Sequence, residues 1–468
     1  MSTLERVSLP GASHAQGPAQ DGATPVTGHA SLAPHDLHEA HEGPGIHSSN
    51  FRFPKDFLWG GATSSHQVEG NNTNSDWWAW EQSGRVAEPS GVAADHYNRF
   101  RQDFDLAQQL GHTAQRFSLE WSRIETSEGV WSREGLDHYS QVIDALHERG
   151  MEAVVTVFHY TLPQWLADKG GLEHPEFERY FERFTVRVSR EYGARVRWWI
   201  TFNEPVVQAF KGWILGQWPP GKTNDFTAAL RVMRTMLRSH VKAYHAIHAA
   251  RPDAMVSVAK HALALSPCNP KSRLDRLSVR VREYLFNNLF LDALHSGALR
   301  VPGLFWERLP QAQTLDFIGL NYYTRDFVKN TGFSLPGLLG NLCTLEHHGS
   351  IGKRNELGWE IYPEGMAHFL KSYQRYGKPI LITENGLPTN RDDDRWTFLF
   401  LHLWQIARAI DNGVPIVGYL HWSLLDNYEW ADGFKARFGL IGVDYATQER
   451  VVHESARKLA EVIRRNEL

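Results

Sequence analysis

Cysteine is nearly absent from this chain: 468 residues include only Cys268 and Cys343. Two thiols cannot build a disulfide framework or a thiolate zinc site, and their scarcity suits a reducing compartment. Long apolar runs are missing as well. None approaches the roughly 20 residues needed to cross a bilayer, so no membrane partner is expected. Charge of one sign does not dominate either. The formal net charge is −4 with both signs interspersed, which leaves no electrostatic footprint for nucleic acid.

One region lacks aromatic residues altogether. Residues 1–50 contain no Phe, Trp or Tyr and a single basic residue, Arg6. Rich in Ala, Gly, Pro, Ser and His, they cannot bury enough apolar surface to offset chain entropy and read as a disordered low-complexity tail. No basic segment precedes an apolar one there, so a secretory signal is not expected and a cytoplasmic location is. His35, His38 and His41 have a spacing that could hold a metal on a helix, although a polar tail accounts for them as well.

From Phe51 onward, β-rich runs alternate with amphipathic stretches. Strands are expected near 57–62, 115–118, 153–158, 196–200, 255–259, 316–320, 379–383 and 415–420. Between them fall helical patterns such as Tyr97, Phe100, Phe104 and Ala107, or Phe177, Phe181, Phe184 and Val188. Eight βα units predict an α/β fold, a single (β/α)8 TIM barrel over residues 51–468. A doubly wound open sheet would carry a glycine-rich phosphate turn after its first strand, and "GGATSSHQ" matches neither nucleotide pattern. The loops after the first, fourth, sixth and eighth strands are long and the turns into the strands short, which places function on the carboxyl rim.

The strand ends then carry the argument. Gln67 follows the first, Arg116 lies at the second and His159 at the third. The fourth delivers Asn203 and Glu204, the sixth Asn321, Tyr322 and Tyr323, the seventh Glu384 and Asn385, and the eighth Trp422. A barrel aims all of them at one axial cleft. Glu204 and Glu384 sit on strands that face each other, and cleavage of a glycosidic bond needs such a carboxyl pair. Glu384 is expected beside Arg116 and a tyrosine hydroxyl, which favour its ionised form. Glu204 has no cation evident in the sequence and is expected among Trp198, Trp199 and Phe202, which favours a protonated acid. The strand-end histidines lack metal-ligand spacing and no HExxH occurs, so no metal or cofactor is expected.

"FPKDFLWGGATSSHQVEG", "QRFSLEWSRI", "TFNEP", "IGLNYYTR", "ITENG" and "GYLHWSLLDNYEWADGFKARFGLIGVDY" occur in that order. With them the chain resembles family 1 of the glycoside hydrolases, the retaining β-glycosidases, from about residue 52 to its end. The last stretch looks most like archaeal-type members. The resemblance implies hydrolysis of terminal, unphosphorylated β-D-glycosides, glucosides foremost, with galactosides and fucosides as side substrates. It implies Glu204 as acid/base, Glu384 as nucleophile and Asn203 on the sugar 2-hydroxyl. Gln67, His159, Glu429 and Trp430 would bind the other glycone hydroxyls, Trp422 would underlie the ring, and Trp359 would line the aglycone side. Arg116, Asn321 and Tyr323 would support the nucleophile. Two departures are visible: His66 where an aromatic is usual, and Tyr160 where tryptophan is common. Glu429 is expected to repel a phosphorylated glycone. A silent sugar-binding barrel would lack one glutamate, and both are present. A metal-dependent barrel hydrolase is the other alternative, separable by a chelator.

Overall fold

The structure, a computed structural model, describes residues 51–303, 305–343, 354–355 and 357–468. The tail and its histidine triad lie outside the described residues.

Eight parallel strands close into a barrel: β1 (Leu58–Ala62), β2 (Ala114–Ser118), β3 (Glu152–Phe158), β4 (Trp198–Asn203), β5 (Met255–Pro267), β6 (Ile318–Lys329), β7 (Ile380–Glu384) and β8 (Ile416–Trp422). Each pairs with the next, and β8 pairs back onto β1 to close the ring. The outer helices are α1 (His96–Gln109), α2 (Arg133–Glu148), α3 (Phe177–Tyr192), α4 (Phe226–Ala250), α5 (Leu289–Ser296), α6 (Pro363–Tyr373), α7 (Asp392–Asp411) and α8 (Glu454–Arg465). Side-chain caps start several of them. Ser132 accepts from Gly135 N ahead of α2, and Asp225 accepts from Ala228 N ahead of α4, each engaging a backbone donor the first turn leaves free.

Two apolar layers hold the barrel. Ala114, Val154, Trp198, Ile200, Ala259, Leu381 and Leu420 fill its interior below the rim. A larger layer, including Phe181, Trp199, Phe202 and Leu237, packs strands against helices. Strand alternation would send Phe202 inward. A register irregularity between Ile200 and Asn203 turns it outward onto Phe181 instead, 4.4 Å between ring centroids. A bulge re-aims side chains in this way, and here it leaves Asn203 facing the cleft. Gly386 meets a different demand. A Cβ there would stand 1.7 Å from the Trp422 carbonyl oxygen, so β7 leaves its glutamate through a residue without a side chain.

Two expectations need correction. Strands β5 and β6 run well beyond Ala259 and Leu320, because their outer halves pair with each other from Arg325–Ala264 to Val328–Pro267. That extension also brings the two cysteines together. Cys268 N donates to Val328 O and Cys343 N to Phe327 O, and the pair forms a disulfide with its Cα atoms 5.9 Å apart. Among the described residues no helix is long and apolar enough to cross a membrane.

Candidate active site at the carboxyl rim

Glu384 ends β7 with both oxygens engaged. Arg116 Nη1 donates to Oε1 at 2.5 Å and the Tyr323 hydroxyl to Oε2 at 2.5 Å. Arg116 is fully buried and is itself fixed by Thr156 Oγ1, the Thr383 carbonyl and Asn203 Oδ1. One guanidinium thereby ties β2 to β3, β4 and β7.

Glu204 stands just past β4 with a left-handed backbone, φ 41°, and Pro205 begins the short helix that follows. It does not sit among tryptophans. Trp198 lies lower in the barrel, and Trp199 and Phe202 face the helices. Its neighbours are polar: the Tyr160 hydroxyl donates to Oε2 at 2.6 Å, Asn321 Nδ2 donates to Oε1 at 2.8 Å, and His261 Nδ1 lies 3.0 Å from Oε1. Asn321, expected beside Glu384, therefore serves Glu204. Its own carbonyl accepts from Thr383 Oγ1 at 2.6 Å.

Tyr160, Glu204 and Trp430 all have positive φ, at 76°, 41° and 52°. Such backbones cost about 1–3 kcal/mol each outside glycine and gather where a site must be held rigid.

These surroundings overturn the electrostatic expectation for the two carboxyls. Burial would raise Glu204, yet the His261 charge and the hydrogen bonds from His261, Tyr160 and Asn321 hold it at about 2. Burial pushes Glu384 up to about 7; Arg116 pulls it down and the charge of Glu204 pushes it up. The neighbour missing from the sequence reading is His261. Because each carboxyl's charge opposes the other's, the two hold one proton between them near neutral pH, and that proton is the acid.

The other wall is polar and aromatic. Gln67 Nε2 donates to Asn427 Oδ1 (3.1 Å), Tyr428 O (2.8 Å) and Glu429 Oε2 (3.3 Å). Asn203 Nδ2 lies 3.0 Å from His159 Nε2. The His159 ring stacks on Trp422 and on Trp430, and burial pushes its pKa well down, so it stays neutral. Burial raises Glu429 to about 8, with Asp432 adding to the rise and Lys211 opposing it. That rise leaves less charge on Glu429 near neutral pH than the sequence implies, while its carboxyl still offers a phosphate no cation.

His66 lies beneath Trp430, with ring planes within 5° and centroids 5.7 Å apart, and pairs through Nε2 with buried Glu81 at 2.7 Å. Trp359 packs against Tyr323 and Phe438, in one cluster with Trp422. The structure thus gathers the expected residues into one cleft and adds His261 and Tyr160 as partners of Glu204. Among the described residues no cluster of three His, Cys, Asp or Glu side chains could hold a metal.

This arrangement of two buried carboxyls on opposed strands has known counterparts. The family profile described as Glycosyl hydrolase family 1 matches residues 49–303 and 305–468. Beta-glucosidase A of Thermotoga maritima is 35% identical over 450 residues, covering 89% of this chain and 99% of that protein. A solved β-glycosidase from Pyrococcus horikoshii superposes with a TM-score of 0.84 at 38% identity, covering 90% of this chain and 96% of that one. The β-glucosidase from Thermotoga maritima in complex with castanospermine gives 0.81 at 34% identity, over 89% and 99% of the two chains. The chain belongs to glycosyl hydrolase family 1.

Proposed function

We propose that the chain is a retaining β-glycosidase acting on terminal, unphosphorylated β-D-glycosides, glucosides foremost, with galactosides and fucosides as side substrates. The observation that carries this reading is the pair of buried carboxyls at the ends of β4 and β7, with both oxygens of each engaged by donors. Glu384 attacks the anomeric carbon while Glu204 protonates the leaving oxygen. Water, deprotonated by Glu204, then releases the sugar from Glu384. Arg116 and Tyr323 hold the attacking carboxylate in line. Asn203 meets the 2-hydroxyl, and Gln67, His159, Glu429 and Trp430 take the remaining hydroxyls over the Trp422 face. A relative named β-glucosidase along nearly its whole length supports glucose as the first glycone to try.

Proton NMR of the sugar first released from an aryl β-glucoside tests the mechanism. The β-anomer should appear before mutarotation, and an initial α-anomer would overturn double displacement. We further propose that residues 51–468 are the catalytic unit and residues 1–50 a dispensable tail. Deleting the tail should leave kcat/KM and Tm unchanged, and a loss of more than about 4 °C would show that it is packed. Cytoplasmic residence also stays a proposal, since one disulfide is far from an extracellular framework.

A further inference from the structure

The short helical turn Ser65–Val68 follows β1 and is bonded to the loop that carries Glu429 and Trp430. The Gln67 carbonyl accepts from Tyr428 N at 3.0 Å, which fixes the two segments in register. Gln67 then reaches Glu429, and its neighbour His66 passes beneath Trp430. Consecutive residues of one turn thus serve consecutive residues of the sugar-binding loop.

His66 is only 1% exposed, so it does not itself touch a sugar. Both of its ring nitrogens are engaged. Asn72 Nδ2 donates to Nδ1 at 3.0 Å, so the ring proton sits on Nε2 and goes to Glu81 Oε1 at 2.7 Å. Each partner is fixed in turn. Ser122 Oγ donates to Asn72 Oδ1 at 2.8 Å. Ser90 donates to Glu81 Oε2 through its nitrogen at 2.9 Å and its hydroxyl at 2.8 Å. All of these side chains are buried. A ring tied in its own plane at both edges cannot turn without leaving buried partners unpaired, which is penalised.

Trp430 rests on the face of that ring, at the spacing of an offset stack. It needs the support, because its backbone is left-handed at φ 52° and such backbones persist only where the surroundings hold them. Other neighbours meet the indole less squarely. Trp77, Tyr160 and Trp218 lie at 49°, 72° and 43° to it, and the indole nitrogens of Trp77 and Trp218 hold no hydrogen bond. His159 lies 23° off parallel and is bonded at one ring nitrogen only. Among these neighbours the parallel surface with both edges anchored is His66.

Resting on the glycosidase reading, we propose that His66, clamped by Asn72 and Glu81, is a positioning residue that fixes the plane of Trp430 and through it the recognition of one glycone hydroxyl. A wall that binds hydroxyls at fixed places loses discrimination when a donor shifts by about 0.5 Å. The cavity of ≈ 230 Å³ beside His261 and Tyr323, walled by Phe210, Leu230 and Phe286, includes neither His66 nor Trp430 among its described lining residues. A change at His66 is therefore felt on the glycone.

The test measures kcat/KM of the full chain for p-nitrophenyl β-D-glucoside and its 2-, 3-, 4- and 6-deoxy analogues. In the wild type, loss of the hydroxyl that Trp430 binds should cost about tenfold or more. His66→Phe keeps a flat ring and loses both anchors. In that variant the penalty at one of the 3-, 4- or 6-positions should shrink by about threefold or more. The penalty at the 2-position, assigned to Asn203, should stay. Glu81→Gln keeps an acceptor for His66 but removes its charge, and should shift the same penalty the same way by less. A merely structural role, or a partly folded variant, scales all the rates together and leaves their ratios unchanged. Unchanged ratios in both variants, or a shift confined to the 2-position, overturn the proposal while leaving the glycosidase reading intact. If His66→Phe yields no folded protein, Glu81→Gln decides alone. If the wild type hydrolyses none of these glucosides, the glycosidase reading falls and the role of His66 falls with it.

Discussion

On the Gln67–Glu429 side of the cleft the side chains hold one another. One amide nitrogen of Gln67 reaches Asn427, Tyr428 and Glu429, and Asn203 links His159 to Arg116. On the Phe210–Phe286 side the walls are mostly half-buried hydrocarbon, with those two rings edge-to-face at 6.3 Å between centroids. Backbone strain divides the same way. The positive-φ residues Tyr160, Glu204 and Trp430 belong to the glutamates and the polar wall, and none lines the apolar cavity among the described residues. A networked wall distinguishes hydroxyls, because a misplaced one leaves buried partners unmatched. An apolar wall grades ligands by size and adapts to them.

The glutamates sit where the two walls meet, and their loss should be the largest effect. Glu384→Ala removes the nucleophile and should lower kcat by about 10⁴-fold or more on every substrate. Glu204→Ala should spare the first step for leaving groups that need little protonation, so that the glycosyl-enzyme accumulates. Azide, which needs no base, should restore turnover and yield a β-glycosyl azide. Retention of more than about 1% activity by Glu384→Ala, checked by aryl glycoside kinetics, would remove Glu384 from the reaction.

Next come the walls themselves. Glu429→Gln keeps the shape and a donor but removes the acid that Gln67 engages. It should cost roughly 10- to 100-fold in kcat/KM on glucosides and alter the ratio of glucose to galactose substrates. Leu230→Gln should leave that epimer ratio in place. If both variants change epimer preference equally, the two walls do not divide the labour as their contacts imply.

Much of this site was legible because a closed barrel turns eight strand ends into one cleft. Arg116, Asn203, Glu384 and Trp422 could be assigned to the rim from strand position alone. The bulge between Ile200 and Asn203 could not be read, and it moved Phe202 away from Glu204. The outer pairing of β5 with β6 was equally hidden, since "KHALALSP" has no periodicity that separates a strand from an exit loop. Ending β5 at Ala259 concealed both the Cys268–Cys343 pairing and His261. One signal was available. Seven strands had been matched to rim residues and the fifth had none, and His261, level with Asn321 in the ladder, fills that gap. Tyr160 stood out only as a departure in residue type, and its bond to Glu204 depends on the left-handed backbone at φ 76°.

The smallest expected effect is a shift in pH profile rather than a loss of rate. Glu384 is pushed up to about 7 by burial, against Arg116, with the charge on Glu204 contributing to the rise. An ionised Glu384 is needed for attack, so the acidic limb of kcat/KM in the wild type should lie near neutrality. His261 is the first of the neighbours that lower Glu204, ahead of Tyr160 and Asn321. Around the imidazole stand the Tyr323 ring, stacked at 5.7 Å, Lys260, whose Nζ donates to the His261 carbonyl, and Asp326 across the cavity. Burial brings Lys260 down to about 7 and Asp326 up to about 6, so both of these neighbours also change charge within the range scanned. His261→Asn replaces the imidazole with an amide. Glu204 should then rise and keep its own proton. Beside a neutral acid, Glu384 loses the repulsion that lifted it and ionises at lower pH. The acidic limb should therefore move down by roughly one pH unit, while the maximum rate changes only a few fold. Tyr160→Phe removes one donor from Glu204 but no charge, so it should move the limb the same way by less. Profiles of p-nitrophenyl β-D-glucoside hydrolysis between pH 4 and 9 decide it. A limb that stays in place in His261→Asn, or moves upward, would mean that His261 positions Glu204 without setting its charge.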